Sequence, residues 1–553
     1  MISGGLVRLL RLALLAAAVA HAALRCRWLS DDAFISFRYA EHLVQGDGLV
    51  FNSGERVEGY TNFLWTLLLA LGMALGVGPE RSSVALGLLA YALTLALLAR
   101  TGDRIAARAR LPAGLGGFAA LGFGAMLHAR IFATGGLETS LFILLVTATL
   151  TAVAEVRALD EWLRVGLLGA LCTLCRPDGA LVLGGAVFFA WLGGGAPGLR
   201  GVLVAPVMLL TPWLAWKVYF YGTVIPNTFT AKAGEGARWG QGALYLWGFT
   251  RMYAPLLLGF FAVPLVTRRM FLPRVGWGVL GYGLVSFGWV LYVARVGGDF
   301  MFARFLLPVA PALLLAVEEG LALLSSARLR LGLGALLLAA LAFAPFDRRL
   351  LDDRGVDGIV EERSWYPAAQ VEEARRQGGV LAPMLEGTPV KAVYFGTQAM
   401  LAYYSRVPYA LEPHVGLTDA LVARLPTPDG ARTGHGRKAG PAYLRERGID
   451  LAFDFRMEMP HPPGSRVDFG EGVTATLVRY HQPLVEVLRG RGAVVEDLPA
   501  WMDQTLPTLP NRSAAERAQL WAHLEGFYFA HNDDPERLAA WRAATMPPAG
   551  ALP

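Results

Sequence analysis

Two adjacent carboxylates, Asp31 and Asp32, stand directly after an apolar run in the stretch SDDAFISFRYAEHLVQGDG. Four more polar motifs interrupt an otherwise apolar chain: TGGLETS (134–140), CRPDG (175–179), YGTVIPNTFTAK (221–232) and RVGGDFMFARF (295–305). Together with the first segment and the residues up to Trp65 that follow it, they bring the carboxylates Asp31, Asp32, Glu58, Glu138, Asp178 and Asp299 and the cations Arg38, Arg176, Lys232 and Arg304. Such a set suits a charged head group presented at a membrane surface. A phosphate leaving group calls for Arg or Lys. A hydroxyl acceptor calls for a carboxylate base, or for carboxylates that hold a cation. Asp31 and Asp32 could supply either. Ser30 is a suitable N-cap, and an Asp in the first turn complements the helix dipole. The two carboxylates point about 100° apart on a helix, so they are expected to differ in role. Asp31 shares a stripe with Arg38, which leaves Asp32 favoured as the residue nearest the chemistry. Ile35, Tyr39 and Leu43 form an apolar stripe suited to lying on a membrane surface.

The elements that must position these residues are membrane helices. Of 553 residues, 54% are hydrophobic and 17% charged, against about 25% charged in a typical soluble domain. Apolar runs lie near 10–29, 62–78, 82–99, 112–131, 137–154, 164–176, 179–194, 202–221, 252–267, 276–294, 305–324 and 331–346. Arginines cluster at 8–11, 100–110, 200, 268–274 and 328–330, and basic loops belong on the cytoplasmic side. Loop parity holds if 62–78 does not cross, which leaves about eleven spans of ~20 residues each. All five polar motifs then fall on the outer face, as does everything after Asp347. The expected fold is mainly α: a polytopic transmembrane bundle over 1–346, with a first extracytoplasmic loop at about 30–80. A C-terminal extracytoplasmic α/β domain follows over 347–553. VKAVYFG and IDLAFDF read as strands, and QAMLAYYS and AAERAQLWAHLEGFYFAH as helices.

Composition and motifs exclude several classes. The net charge of +6 comes from scattered arginines, so no nucleic-acid partner is expected. There is no P-loop and no dinucleotide fingerprint. CTLC lies inside an apolar run, where Cys172 and Cys175 read as packing residues. His128, His414 and His435 have no zinc spacing. Without nucleotides outside the cell, a synthetic enzyme needs a donor that the membrane delivers already activated, and a polyprenyl-phosphate sugar fits. A transporter would put its ionisable groups near the bilayer midplane. A non-catalytic sensor or assembly protein would need few polar motifs on the outer face of its membrane region.

At these same residues the chain also resembles a known family. DDAFISFRYAEHLVQGDGLVFNSGERVEGYTNFLW, CRPDG, YFYGTVIPNTFTAK and GGDFMFARFLLP look like the terminal β-(1→2)-arabinofuranosyltransferases of mycobacterial cell walls and their wider bacterial relatives. These are polytopic glycosyltransferases of the GT-C superfamily. The likeness extends into the tail at VGLTDALVARL and RTGHGRK, and departs where Gly436 follows His435 in place of an expected acidic residue. The resemblance implies a catalytic Asp in the first outer loop, here Asp31 or Asp32. It also implies a decaprenyl- or other polyprenyl-phosphate pentose or hexose donor and a carbohydrate-facing tail. Arg304, Lys232, Arg176 and Arg38 are the candidate donor-phosphate ligands. Glu58, Tyr60, Asn62, Glu138, Asp178, Asn227 and Asp299 are the candidates for sugar or acceptor contact. No cofactor is assigned outright; a divalent cation held by Asp31 and Asp32 stays open beside a metal-free site. The expected partners are the lipid-linked sugar, a cell-envelope glycan or glycolipid acceptor and membrane lipids, in the plasma (inner) membrane of a bacterium.

Overall fold

The computed structural model describes residues 4–112, 115–233, 236–269, 273–352, 355–395, 398–426, 437, 439–453 and 464–545. The fold is mainly helical. Its contacts divide it into two units. One holds Met1–Leu49 and Tyr60–Ala368; the other holds Val50–Gly59 and most of the chain after Ala369. The contact boundary lies at 368/369, and ten residues of the first loop go with the C-terminal unit.

In the helical unit, four helices among the described residues are long and apolar enough to cross a membrane: Gly5–Arg25, Pro79–Arg108, Gly179–Tyr221 and Val279–Val296. A fifth candidate is the pair Trp239–Met252 and Ala254–Pro264, which bends by 99° at its break. Lengths of single helices therefore establish fewer crossings than the eleven expected from hydropathy. The difference has local causes. The apolar run 112–131 is broken at Met126, whose backbone is extended between the helices Phe118–Ala125 and Leu127–Ile131. The runs 179–194 and 202–221 both lie in Gly179–Tyr221, where a break at Gly195 (φ 57°, ψ −148°) keeps them as two helices. Phe63–Ala74 has only 12 residues, about 18 Å of helix at 1.5 Å per residue against a hydrocarbon core of about 30 Å.

The C-terminal unit is built on one six-stranded mixed sheet. Its strands are β1 (Lys391–Tyr394), β2 (Tyr409–Leu411), β3 (Leu451–Phe453), β4 (Arg466–Asp468), β5 (Thr474–Leu477) and β6 (Val494–Val495). Their order is β2-β1-β3-β5-β4-β6; β1 is parallel to β2 and β3, and the remaining pairs are antiparallel. Both strands and both helices expected in the tail are present, the helices as Gln398–Tyr404 and Ala514–Leu524. Val393, Leu411, Ile449 and Ala452 pack in a core on this sheet. The first-loop segment completes the sheet's edge: the Asn52 amide donates to the Ala410 carbonyl at 3.0 Å and accepts from its N–H at 2.9 Å. Glu55 pairs with Arg447 at 2.7 Å.

Candidate active site

Asp31 and Asp32 open the helix Asp31–Gln45. Ser30 is the N-cap by position, but its side chain makes no capping bond. Its backbone N–H instead donates to the Gly135 carbonyl at 3.0 Å, which ties the helix start to the TGGLETS turn. Glycine is required there. A Cβ at Gly135 would stand 2.8 Å from the Trp28 ring, and Gly136 has φ +79° with Ala33 2.9 Å from where its Cβ would be. Most of the first half of this helix is covered by protein. Phe34, Ser36, Phe37, Arg38, Tyr39 and Ala40 are all buried, polar and apolar positions alike, while Asp31, Asp32 and Ile35 are half-buried.

The TGGLETS turn delivers Glu138, and four of the five motifs meet at or beside its carboxylate. Glu138 is buried and accepts from three side chains: Asn62 at 3.1 Å, Arg176 at 3.2 Å and Arg304 at 3.0 Å. Asn62 is fixed in turn by Ser36 and Thr66. Arg176 also holds Asp178 by two bonds, at 3.0 and 2.7 Å. Its guanidinium lies between the rings of Phe142 (5.2 Å) and Phe305 (4.9 Å). Arg304 sits 3.6 Å from Asp299. The loop that carries Arg304 is pinned by the Tyr245 hydroxyl, which donates to Met301 O and accepts from Phe305 N, and by Trp289, which donates to Phe305 O.

Two arginines thus face three carboxylates: Glu138, Asp178 and Asp299. Asp32 adds a fourth negative charge within electrostatic reach of Arg304. Burial works against the Arg304 charge, but Glu138 and Asp299 outweigh it, with Arg176 opposing and Asp32 assisting, and the guanidinium pKa is raised. Arg176 is fully engaged by its carboxylates. Arg304 is not, because its buried Nε has no acceptor among the described residues. Of the two, Arg304 keeps capacity for an incoming oxyanion. A cluster of net negative charge also favours positive charge that develops on a substrate.

The remaining expected residues are placed as follows. Asp31 and Asp32 are both half-buried, and Arg38 is buried in their helix. Tyr60 is buried with its ring 4.6 Å from Tyr39. Glu58 is buried and belongs to the C-terminal unit. Asn227 opens the short helix Asn227–Ala233 and is half-buried. The side chain of Lys232 lies outside the described residues, as do His435 and Gly436. Among the described residues no group of three or more His, Cys, Asp or Glu side chains could hold a metal ion, at Asp31 and Asp32 or elsewhere. Sequence reasoning missed Ser36, Thr66, Phe142, Tyr245, Trp289 and Phe305. Ordinary polar and aromatic residues inside apolar runs carry no signal until their partners are known.

No family model matches the chain. Two curated proteins do match it, both called terminal β-(1→2)-arabinofuranosyltransferase. The one from Mycobacterium tuberculosis is 34% identical over 339 residues, 53% of this chain and 52% of the relative. The one from Corynebacterium glutamicum is 30% identical over 342 residues, 53% of this chain and 48% of the relative. The chain is similar to these arabinofuranosyltransferases. It spans about half the length of the curated relatives it matches. Among solved structures it matches ArnT from Cupriavidus metallidurans. ArnT bound to undecaprenyl phosphate aligns at TM-score 0.51 and 14% identity, over 74% of this chain and 87% of ArnT. The apo form aligns at 0.52 and 15%, over 74% and 86%. At that identity the likeness is one of fold: the chain has an ArnT-like fold.

Proposed function

We propose that this chain is a membrane glycosyltransferase. It moves a sugar from a polyprenyl-phosphate donor to a cell-envelope glycan or glycolipid acceptor on the extracytoplasmic face of the bacterial plasma membrane. Arabinofuranose is the first sugar to test, because the curated relatives carry that name. The observation that carries the proposal is the meeting of Asn62, Glu138, Arg176 and Arg304 from four distant segments, with the half-buried Asp32 in the field of Arg304. A lipid-linked donor is supported by the ArnT structure, which holds undecaprenyl phosphate.

In this proposal the acceptor hydroxyl oxygen attacks the anomeric carbon and the carbon–oxygen bond to phosphate breaks. The polyprenyl phosphate leaves with the bonding electron pair, and its charge is met by Arg304 through the open Nε–H. The acceptor's proton passes to the Asp32 carboxylate. Glu138 holds Arg304 and Arg176 in place, and the surrounding carboxylates favour the positive charge that builds on the sugar ring. The membrane topology belongs to the same proposal: about eleven crossings, a cytoplasmic N-terminus, an external C-terminal unit and a 62–78 segment that does not cross.

The test is transfer of radiolabelled arabinofuranose from its synthetic polyprenyl phosphate to a synthetic arabinofuranosyl acceptor, using full-length protein in lipid nanodiscs. Product formation supports the proposal. A donor that is bound but never consumed, in the presence of acceptor, overturns it. A donor moved unchanged across a vesicle bilayer would mark a transporter instead.

A further inference from the structure

His128 is completely buried in the short helix Leu127–Ile131, ahead of the turn that delivers Glu138. Both of its ring nitrogens are engaged. Nδ1 is 2.7 Å from the Tyr253 hydroxyl, and Nε2 is 2.7 Å from Glu361 Oε2. The backbone N–H of His128 also donates to the Tyr253 oxygen at 3.3 Å. One neutral tautomer satisfies all three contacts: Nε2–H donates to the Glu361 carboxylate, and Nδ1 accepts from the tyrosine O–H. The ring is enclosed by Phe302, edge-on at 4.9 Å, and by Phe346, stacked at 6.3 Å.

What this network anchors is the loop of Arg304. Glu361 directly follows Val360, whose N–H donates to Phe300 O at 2.8 Å and whose carbonyl accepts from Phe302 N at 2.9 Å. These two bonds form a parallel bridge across Met301. Ala303, the residue after Phe302, is fully buried and has φ +67°. A side chain with a Cβ is disfavoured in that left-handed region and persists there only where its surroundings over-determine it. Arg304 follows immediately, and its direction toward Glu138 depends on that turn.

We infer that His128 is a positioning residue for Arg304. Through Glu361 it fixes the Val360 bridge, the bridge holds residues 300–302, and the held segment keeps Ala303 in the left-handed turn that aims Arg304 at the site. His128 touches no substrate in this scheme. The inference rests on the glycosyltransferase proposal for its kinetic consequence, but not for its structural one.

The experiment uses full-length protein in nanodiscs, with His128→Gln, Glu361→Gln and Tyr253→Phe, each alone and combined with Ala303→Gly. For His128→Gln and Glu361→Gln, kcat should fall about tenfold or more, as for other small misplacements of a positioning group. The acceptor KM should stay near wild type, and amide exchange should rise at residues 300–305. Ala303→Gly alone should remain near wild type. Combined with His128→Gln it should recover part of the lost kcat, because glycine needs no restraint to adopt the turn. Should His128→Gln fail to fold, Tyr253→Phe deletes one hydroxyl, keeps the ring and carries the same expectation in smaller measure. Wild-type kcat in the His128 and Glu361 variants, unchanged exchange at 300–305, or no recovery with Ala303→Gly overturns the inference. If wild-type protein transfers no sugar, the glycosyltransferase proposal falls, and the exchange measurement still decides whether His128 holds the loop.

Discussion

Arg304 and Glu138 lie 166 positions apart in the chain and meet at 3.0 Å in a buried ion pair. Glu138 receives Arg176 and Asn62 on the same carboxylate, which makes it the point where four segments are joined. An ion pair this buried is weak evidence of net stability, because desolvation offsets the attraction. Breaking it from one side is a different matter.

Removing the carboxylate with Glu138→Ala leaves two buried guanidinium groups short of a counter-charge. The expected loss is about 3–5 kcal/mol, the cost of an uncompensated buried charge. Thermal unfolding of the nanodisc-embedded protein measures it. Glu138→Gln should lose less, because the amide oxygen still accepts one hydrogen bond. Near-wild-type stability in Glu138→Ala would mean that the site does not depend on this junction.

Arg304 should act on the donor rather than on the acceptor. Loss of one charge-assisted contact with phosphate costs about 1.5–3 kcal/mol, so donor binding by Arg304→Ala should weaken roughly ten- to hundredfold. Arg304→Lys should restore it only in part, since the fork that serves Glu138 and an oxyanion together is lost. Titration with the polyprenyl-phosphate sugar against a titration with acceptor checks both claims. Equal weakening of the two would remove Arg304 from the donor.

The C-terminal unit carries a separate test. Asn52 pairs with both backbone groups of Ala410, as a neighbouring strand would. Asn52→Ala leaves that N–H and carbonyl without their partner, a cost of about 1–3 kcal/mol for a buried polar group. Faster amide exchange confined to Tyr409–Leu411 and its neighbours is expected. Unchanged exchange there would mean that the edge of β2 needs no cover from the first loop.

Topology is checked by single cysteines. A cysteine placed at Arg104 should react only with reagent on the cytoplasmic side, and one placed in the C-terminal unit only with reagent outside. Labelling of the Arg104 site from outside would reverse the parity on which the proposed orientation rests.

The residue types of the site were legible in the sequence. Carboxylates and arginines flanked by glycine between apolar runs have few uses in a membrane protein, and Glu138, Arg176, Asp299 and Arg304 stood out for that reason. Their partners were not legible, because nothing local tells Glu138 to meet residues 38 and 166 positions away. Hydropathy registers composition and not backbone angles, so the break at Met126 inside the run 112–131 was not legible, whereas the kink at Gly195 falls between the runs 179–194 and 202–221. The burial of Ser36 and Arg38 also escaped notice. A 3.6-residue pattern assigns polar positions to water, and Ser36 instead finds Asn62. In the tail, VKAVYFG and IDLAFDF could be recognised as strands from their β-branched and aromatic runs. β6 has two residues and β4 three, too short to show any period.

The role of Asp32 is the most direct test of the whole proposal. Asp31 and Asp32 occupy the same helix start, and Asp32 figures in the electrostatic surroundings of Arg304. The measurement is the rate of transfer from a synthetic polyprenyl-phosphate arabinofuranose by Asp32→Asn and Asp31→Asn, with folding confirmed by thermal stability and donor binding by titration. Asp32→Asn should bind donor normally and lose about a hundredfold or more in turnover, the loss expected when a positioned base is removed. Asp31→Asn should lose much less, because Asn is well tolerated at the start of a helix. Turnover near wild type in Asp32→Asn would contradict the proposal and leave the pair as the start of a helix and nothing more.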